Sequence, residues 1–164
     1  MDTAHASQML VEVRKDHELV AEQLRILQAL EGTIVGTENR RLTRTLELLR
    51  GASRMFQDRL LPHFDQEEHE LFPLFRECLP KGSTLLYELQ ADHEQIRRLC
   101  ERLRAELSWL RHAKHRRAPL LGDLQSLCVH IAGLLNRHAE REQQLVNRLV
   151  GFQTPSATSL VETS

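Results

Sequence analysis

One pattern of histidines and glutamates occurs twice along this chain of 164 residues. The triplet Asp-His-Glu at residues 16–18 returns at residues 92–94. The first triplet's histidine is followed 46 residues later (63 − 17) by an H-x-x-x-E motif, and the second's 45 residues later (138 − 93). The six recurring residues are His17, His63, Glu67, His93, His138 and Glu142. Their spacing indicates one helical hairpin used twice, with two imidazoles and one carboxylate in each copy.

Four long helical stretches separated by three short breaks make up most of the chain. The breaks are Gly32–Gly36, Pro80–Gly82 and His112–Pro119. Helices of roughly 25 to 40 residues joined by short connections pack antiparallel, which predicts an all-α, up-down-up-down four-helix bundle. Residues 1–152 are expected to form this single domain, and residues 153–164 a disordered tail.

Prolines and one glycine mark local features of the predicted helices. Pro62 and Pro73 lie inside the second stretch, where each should kink the helix or interrupt its hydrogen bonding. Pro119 suits the first position of the fourth helix, and Gly151 is expected to end it. Pro62 stands directly before His63, so a kink there can help to aim that imidazole.

Charge and cysteine content exclude several classes of protein. The net charge of −1 gives no reason to expect a nucleic-acid partner. Three widely spaced cysteines without a C-x-x-C motif indicate reduced thiols in a cytoplasmic protein, and Cys100 and Cys128 fall on apolar stripes as small core residues. No apolar run approaches the roughly 20 residues that span a bilayer, so no membrane association is expected.

The six repeated residues interrupt apolar stripes. Apolar residues recur at spacings of three and four in each stretch, which marks the face turned into the core. In the second stretch the stripe consists of Leu49, Ala52, Phe56, Leu60, Leu71 and Leu74. Each buried polar group without a partner costs on the order of 1–3 kcal/mol, so six would exhaust a typical net stability of roughly 5–15 kcal/mol. A lone histidine on such a stripe is usually a core residue with satisfied hydrogen bonds, but a duplicated set of six is hard to explain in that way.

Two divalent cations offset the cost of burying the set. Neutral imidazoles can donate to the ions and carboxylates can bridge them, which leaves coordination positions open for a small ligand. A donor set of nitrogen and oxygen without cysteine suits iron, with manganese and zinc as competitors.

These motifs resemble the hemerythrin-like HHE cation-binding domain family, whose pattern is H … H-x-x-x-E … H … H-x-x-x-E. The stretch HFDQEEHELFPLF, from His63 to Phe75, is especially similar, and the resemblance covers about residues 8 to 150. It implies a four-helix bundle with a non-haem di-iron centre. The implied terminal iron ligands are His17, His63, His93 and His138, and the implied bridging carboxylates are Glu67 and Glu142.

Two positions depart from the oxygen-carrying hemerythrins. Those proteins have a second histidine four residues after the third-helix ligand, where this chain has Arg97, and an H-x-x-x-x-D motif in the last helix in place of H-x-x-x-E. The set of four histidines and two glutamates is more similar to bacterial proteins linked to nitric oxide stress and to repair of iron–sulfur centres. Ferritin-like bundles match less well, because none of the six residues stands in an E-x-x-H motif.

Three functions remain open at this point. The first is binding or sensing of oxygen or nitric oxide in nitrosative or oxidative stress, and the second is enzymatic turnover of peroxide or nitric oxide at the di-iron pair. The third is iron storage or delivery, including repair of iron–sulfur centres. The expected partners are a small diatomic ligand or peroxide, together with a redox or protein partner that the sequence does not identify.

Polar residues beside the repeat each allow two interpretations. Glu68, His69 and Glu70 follow the first H-x-x-x-E motif; His69 can reach the mouth of the site, but a solvated helix face is favoured. His130 can donate to a ligand, but a buried or rim histidine is favoured. Asp16 and Asp92 either orient imidazoles on neighbouring helices or lie on the surface.

Overall fold

The computed structural model describes Glu18, Arg25 and residues 39–78, 84–110 and 117–153. Three helices span these ranges: α1 over 39–78, α2 over Thr84–Leu110 and α3 over Arg117–Gln153. They correspond to the second, third and fourth predicted stretches, and no strand occurs in the described part of the chain. The all-helical prediction is confirmed for these residues. His17 and Asp16, from the first stretch, lie outside them.

Helix α1 contains two widened turns. Its α-helical segments are Asn39–Met55, Leu61–Gln66 and Phe72–Cys78, and its π-helical segments are Phe56–Leu60 and Glu67–Leu71. Each π segment ends two residues before a proline, Pro62 or Pro73. Proline lacks an N–H and its ring collides with the carbonyl of the preceding turn, and a wider turn accommodates both effects. The predicted interruption of regular hydrogen bonding at these prolines is confirmed.

Neighbouring helices run antiparallel. Between α1 and α2, Glu68 contacts His93 and Asp65 contacts Arg97, so residue numbers fall on one helix as they rise on the other. Between α2 and α3, Asp92 contacts Arg141, whereas further along α2 the Cys100 thiol lies near Cys128. The described hairpins therefore bring residues that are distant in sequence to the same level of the helix stack.

The apolar core has two parts. The larger cluster, around Phe56, Leu103 and Ile131, is built from residues 49–64, 96–110 and 121–135. The smaller cluster is built from residues 71–75, 85–89 and 145. The predicted stripes are confirmed where side chains are described, except that Leu74 is only half-buried. Residues 63, 67, 93, 138 and 142 occupy the level between the two clusters.

Both ends of α3 differ from the sequence-based expectation. The helix begins at Arg117, so Pro119 is its third residue, not its first. The first N–H groups of a helix have no intrahelical acceptor, so proline is tolerated throughout the first turn. At the other end the helix continues through Gly151 to Gln153, since a glycine costs a helix only about 1 kcal/mol relative to alanine. None of the described helices combines the length and apolar character needed to cross a membrane.

The thiols of Cys100 and Cys128 are expected to resist alkylation in the folded protein. Burial raises the pKa of each to about 12. At pH 8 the reactive thiolate is then about one part in ten thousand of each cysteine, and reactivity should rise only as the pH approaches 12. In a Cys78→Ser variant, which retains only these two thiols, a coloured disulfide reagent should react after denaturation and not before. Complete reaction within seconds in native buffer would contradict the burial of both side chains.

Candidate metal centre

Five of the six repeated residues come together in the structure. Helix α1 supplies two of them, α2 one and α3 two, and each side chain is at most 4% exposed: His63, Glu67, His93, His138 and Glu142. The prediction that these residues turn inward is confirmed. The sixth residue, His17, lies outside the described part of the chain.

The carboxylate of Glu67 lies at the middle of the group. Its Oε1 is 3.1 Å from His63 Nε2, one helical turn earlier on the same helix. Its Oε2 is 3.0 Å from His93 Nε2 and 3.8 Å from His138 Nε2. One ligand atom from each of Glu67, His93 and His138 lies within 4.8 Å of the other two. This spacing allows the three to bind one metal ion together.

The orientation of these atoms fits a cation better than direct hydrogen bonds. Although the distances are short, both oxygens of Glu67 and Nε2 of His93 lack a well-oriented hydrogen bond to any residue in the described ranges. Buried polar atoms in that condition are costly. Carboxylate oxygen and imidazole nitrogen are both common metal ligands, and a cation placed among them satisfies all of these atoms at once. The residues present therefore fit a metal ion.

The pKa values of the two glutamates in the group are shifted in opposite directions. Burial alone would raise the pKa of Glu67, but the adjacent imidazoles of His63 and His93 lower it well below its ordinary value. Burial, followed by the negative charge of Glu67, raises the pKa of Glu142. Two carboxyls this close in an apolar environment cannot both ionise easily without a cation. The electrostatics of the group therefore favour a positive ion between them.

Aromatic rings pack closely on the imidazoles. The ring of Phe64 stacks on His93 with centroids 3.9 Å apart, and the ring of Phe72 lies over the same imidazole at 5.3 Å. The rings of Phe64 and His138 also pack in a T-shaped arrangement, with centroids 5.3 Å apart. Both phenylalanines are fully buried. They fix the imidazole planes and reduce access of water. The predicted apolar stripe did not include them.

An outer network of charged side chains holds His93. Its Nδ1 donates to Glu68 Oε1 at 2.7 Å, which leaves Nε2 as the nitrogen that faces Glu67. Arg97 donates to the same oxygen of Glu68 at 2.7 Å, and also to Asp65 Oδ1 at 2.7 Å. Burial alone would raise the pKa of Glu68, but its bonds from Arg97 and His93 lower it.

The sequence-based placement of several flanking residues needs correction. Glu68 binds His93, a role that the sequence did not indicate, whereas the neighbouring His69 is exposed as expected. Asp92 is buried and accepts a hydrogen bond from Arg141, so it neither orients an imidazole of the described group nor lies on the surface. His130, expected in the core or at its rim, is exposed.

The spacing of residues along a single helix did not predict the contacts that Glu68 and Asp92 make. Each has its partner on another helix, 25 residues away for Glu68 and His93, and 49 residues away for Asp92 and Arg141. The one available hint was Arg97, one turn after His93, because a cation beside a buried site needs a carboxylate partner.

The helical fold and the buried carboxylate–imidazole group place this chain in the class of helical proteins with a group able to bind metal cations. Within that class, the family model of the hemerythrin HHE cation-binding domain matches residues 8–150. The match covers most of the chain, which therefore belongs to this family. No significant match was found among curated proteins or among solved structures.

Proposed function

We propose that this protein is a non-haem di-iron protein that binds or senses oxygen or nitric oxide in nitrosative or oxidative stress. The observation that carries the proposal is the buried group of imidazoles and carboxylates between two apolar clusters. In this proposal a helix containing His17 completes an up-down-up-down four-helix bundle. The proposed terminal ligands are His17, His63, His93 and His138, and the proposed bridging ligands are Glu67 and Glu142.

The donor set supports iron as the metal. Nitrogen and oxygen ligands suit iron, and neither described buried cysteine, Cys100 or Cys128, belongs to the metal-binding group. Manganese and zinc accept similar ligands and remain the competitors. An iron pair, when bound, supplies open coordination positions and a change of oxidation state. The surrounding residues orient the imidazoles, retain the carboxylate charge and exclude water.

The enclosure of the site supports a small ligand. His93 is covered by two phenyl rings, one of them only 3.9 Å away, which leaves little room for a larger substrate beside this imidazole. The described group is almost completely buried, and iron held there is released slowly unless the bundle opens. That burial favours ligand binding or turnover over iron delivery.

The first experiment measures iron per chain after anaerobic loading with ferrous iron and desalting. The proposal expects two ions per chain, followed by a change in the optical spectrum when oxygen or nitric oxide is added. A value well below one ion per chain would overturn the di-iron site. The absence of a spectral response to either gas would overturn the binding of oxygen or nitric oxide. Sustained iron-dependent consumption of peroxide or nitric oxide would instead support an enzyme, and ready loss of iron to a modest chelator would support delivery.

Replacing Glu68 by glutamine should weaken metal binding by about 10- to 100-fold. Glutamine is a poorer acceptor for His93 Nδ1–H and leaves Arg97 without its partner carboxylate. The measurement is metal affinity, determined by competition with a chromophoric chelator. Glu94→Gln is the matched control, because that glutamate is 73% exposed on α2 and 4.0 Å from Arg98. Equal affinities for the two variants would show that the outer carboxylate does not support the metal centre.

A further inference from the structure

A second polar site lies between α1 and α2, away from the metal centre. It is a cavity of about 300 Å³ that shares no residue with the metal-binding group. Three arginines and one aspartate contribute to its lining, which therefore carries a formal charge of +2 (three minus one). The charged residues are Arg50, Arg54 and Asp58 from α1 and Arg104 from α2.

The three arginines of this cavity differ from others in the described helices. Arg97, Arg102 and Arg141 each bind a carboxylate oxygen at 2.5 to 2.7 Å. Within the described ranges, no carboxylate oxygen lies within ion-pair distance of the cavity arginines, although Asp58 shares the lining. Asp58 follows Arg54 by four residues, a spacing that pairs charges on a regular helix. The π segment that starts at Phe56 separates them and shifts this register.

Two buried donors line the same cavity. Nε of Arg50 and Nε2 of Gln57 are inaccessible to solvent and have no hydrogen-bond acceptor among the described residues. Such donors favour an acceptor oxygen close by. The carboxylate of Asp58 does not provide it, although it is part of the lining.

We propose that this cavity binds a small dianion bearing phosphate or carboxylate groups. Guanidinium groups match the paired oxygens of both groups, and two net positive charges balance a dianion. The volume is at the lower end of the range for ligand sites and suits a small metabolite. The lining donors from the two helices approach the ligand from different sides: Arg50, Arg54 and Gln57 from α1, and Arg104 from α2. This inference goes beyond the proposed function and does not depend on it.

The test is calorimetric titration of the full chain with inorganic phosphate and, separately, with succinate. We expect one saturable site for at least one of the two, and the tighter probe identifies the preferred anionic group. The double variant Arg50→Gln/Arg104→Gln should weaken binding by about tenfold or more for each arginine replaced. The control is Arg59→Gln, which removes one positive charge, as Arg104→Gln alone does, from an exposed position of α1 outside the cavity lining and should leave affinity unchanged.

Each titration is run on metal-free and on metal-loaded protein. Equal affinity in both forms supports the cavity, whereas binding that requires metal would place the anion at the metal centre and overturn the inference. Equal weakening by Arg59→Gln would indicate diffuse attraction, and the absence of saturable binding of both probes would also overturn the proposal. Circular dichroism verifies folding. If the double variant does not fold, Arg104→Gln alone, at an exposed position, provides the same comparison.

Discussion

Replacing Glu67 by glutamine is expected to abolish metal binding and to lower the melting temperature measured with iron by roughly 10 °C. The carboxylate of Glu67 is 3.0 to 3.8 Å from three imidazoles and is 1% exposed, so its loss removes the acceptor that these imidazoles share. Metal that binds only the folded state adds about 3–4 kcal/mol to stability when its concentration is several hundred times its dissociation constant. Iron analysis and thermal unfolding measure the two effects.

Glu70→Gln is the matched control for that experiment. Glu70 lies three residues after Glu67 in the same π segment, but it is exposed and accepts a hydrogen bond from Gln66. Its replacement should change neither iron content nor melting temperature by more than the ordinary surface effect of about 0.5 kcal/mol. If the Glu67 variant retained two irons per chain, the assignment of this carboxylate as a bridging ligand would be wrong.

Replacing Phe64 by alanine is expected to reduce the free energy of unfolding of the metal-free protein by about 3–5 kcal/mol. The side chain is completely buried, stacks on His93 and lies 5.8 Å below the guanidinium of Arg97. Its removal leaves a cavity at the junction of all three described helices and frees the His93 ring to rotate. Urea denaturation measures the loss.

Tyr87→Ala is the control for the Phe64 variant, because this tyrosine on α2 is 72% exposed and its removal leaves no cavity. Its unfolding free energy should stay within about 0.5 kcal/mol of the parent value. Phe64→Leu should be intermediate, since leucine refills part of the space. A Phe64→Ala loss no larger than that of the control would mean that the ring does not support the imidazoles.

Arg97, where the sequence departs from the oxygen-carrying hemerythrins, supports the candidate metal centre in the structure. The oxygen-carrying hemerythrins have a histidine at the equivalent place, one turn after the third-helix ligand. Here the guanidinium of Arg97 joins Glu68 to Asp65, and Glu68 in turn holds His93. The residue therefore supports an imidazole through a carboxylate. This role explains why a large cation is tolerated beside a buried site.

Several features of the candidate site follow from periodicity. Residues four apart share a helix face, and His63 and Glu67 indeed lie 3.1 Å apart. The apolar stripes likewise placed His93 and His138 in the interior, where both are completely buried. These predictions depend only on the geometry of a single helix, which the local sequence controls.

Other features depend on how the helices are rotated against one another. The stacking of Phe64 and Phe72 on one imidazole and the bond from His93 to Glu68 join different helices. The two π segments of α1 change the angular position of every residue that follows them, by an amount that no regular spacing anticipates. The cavity lined by Arg50 and Arg104 likewise exists only because α1 and α2 pack together.

Periodicity in the sequence was enough to predict that the described chain is helical, which faces are buried, and that a duplicated set of histidines and glutamates interrupts the apolar stripes. Each of these conclusions rests on a repeat along one helix. The packing of the helices was needed to show that Glu67 lies among three imidazoles, that Glu68 and Arg97 support His93, and that three arginines with no ion pair in the described ranges share a cavity. Contacts of this kind depend on the rotation and register of packed helices, which are set by the whole core and not by local spacing.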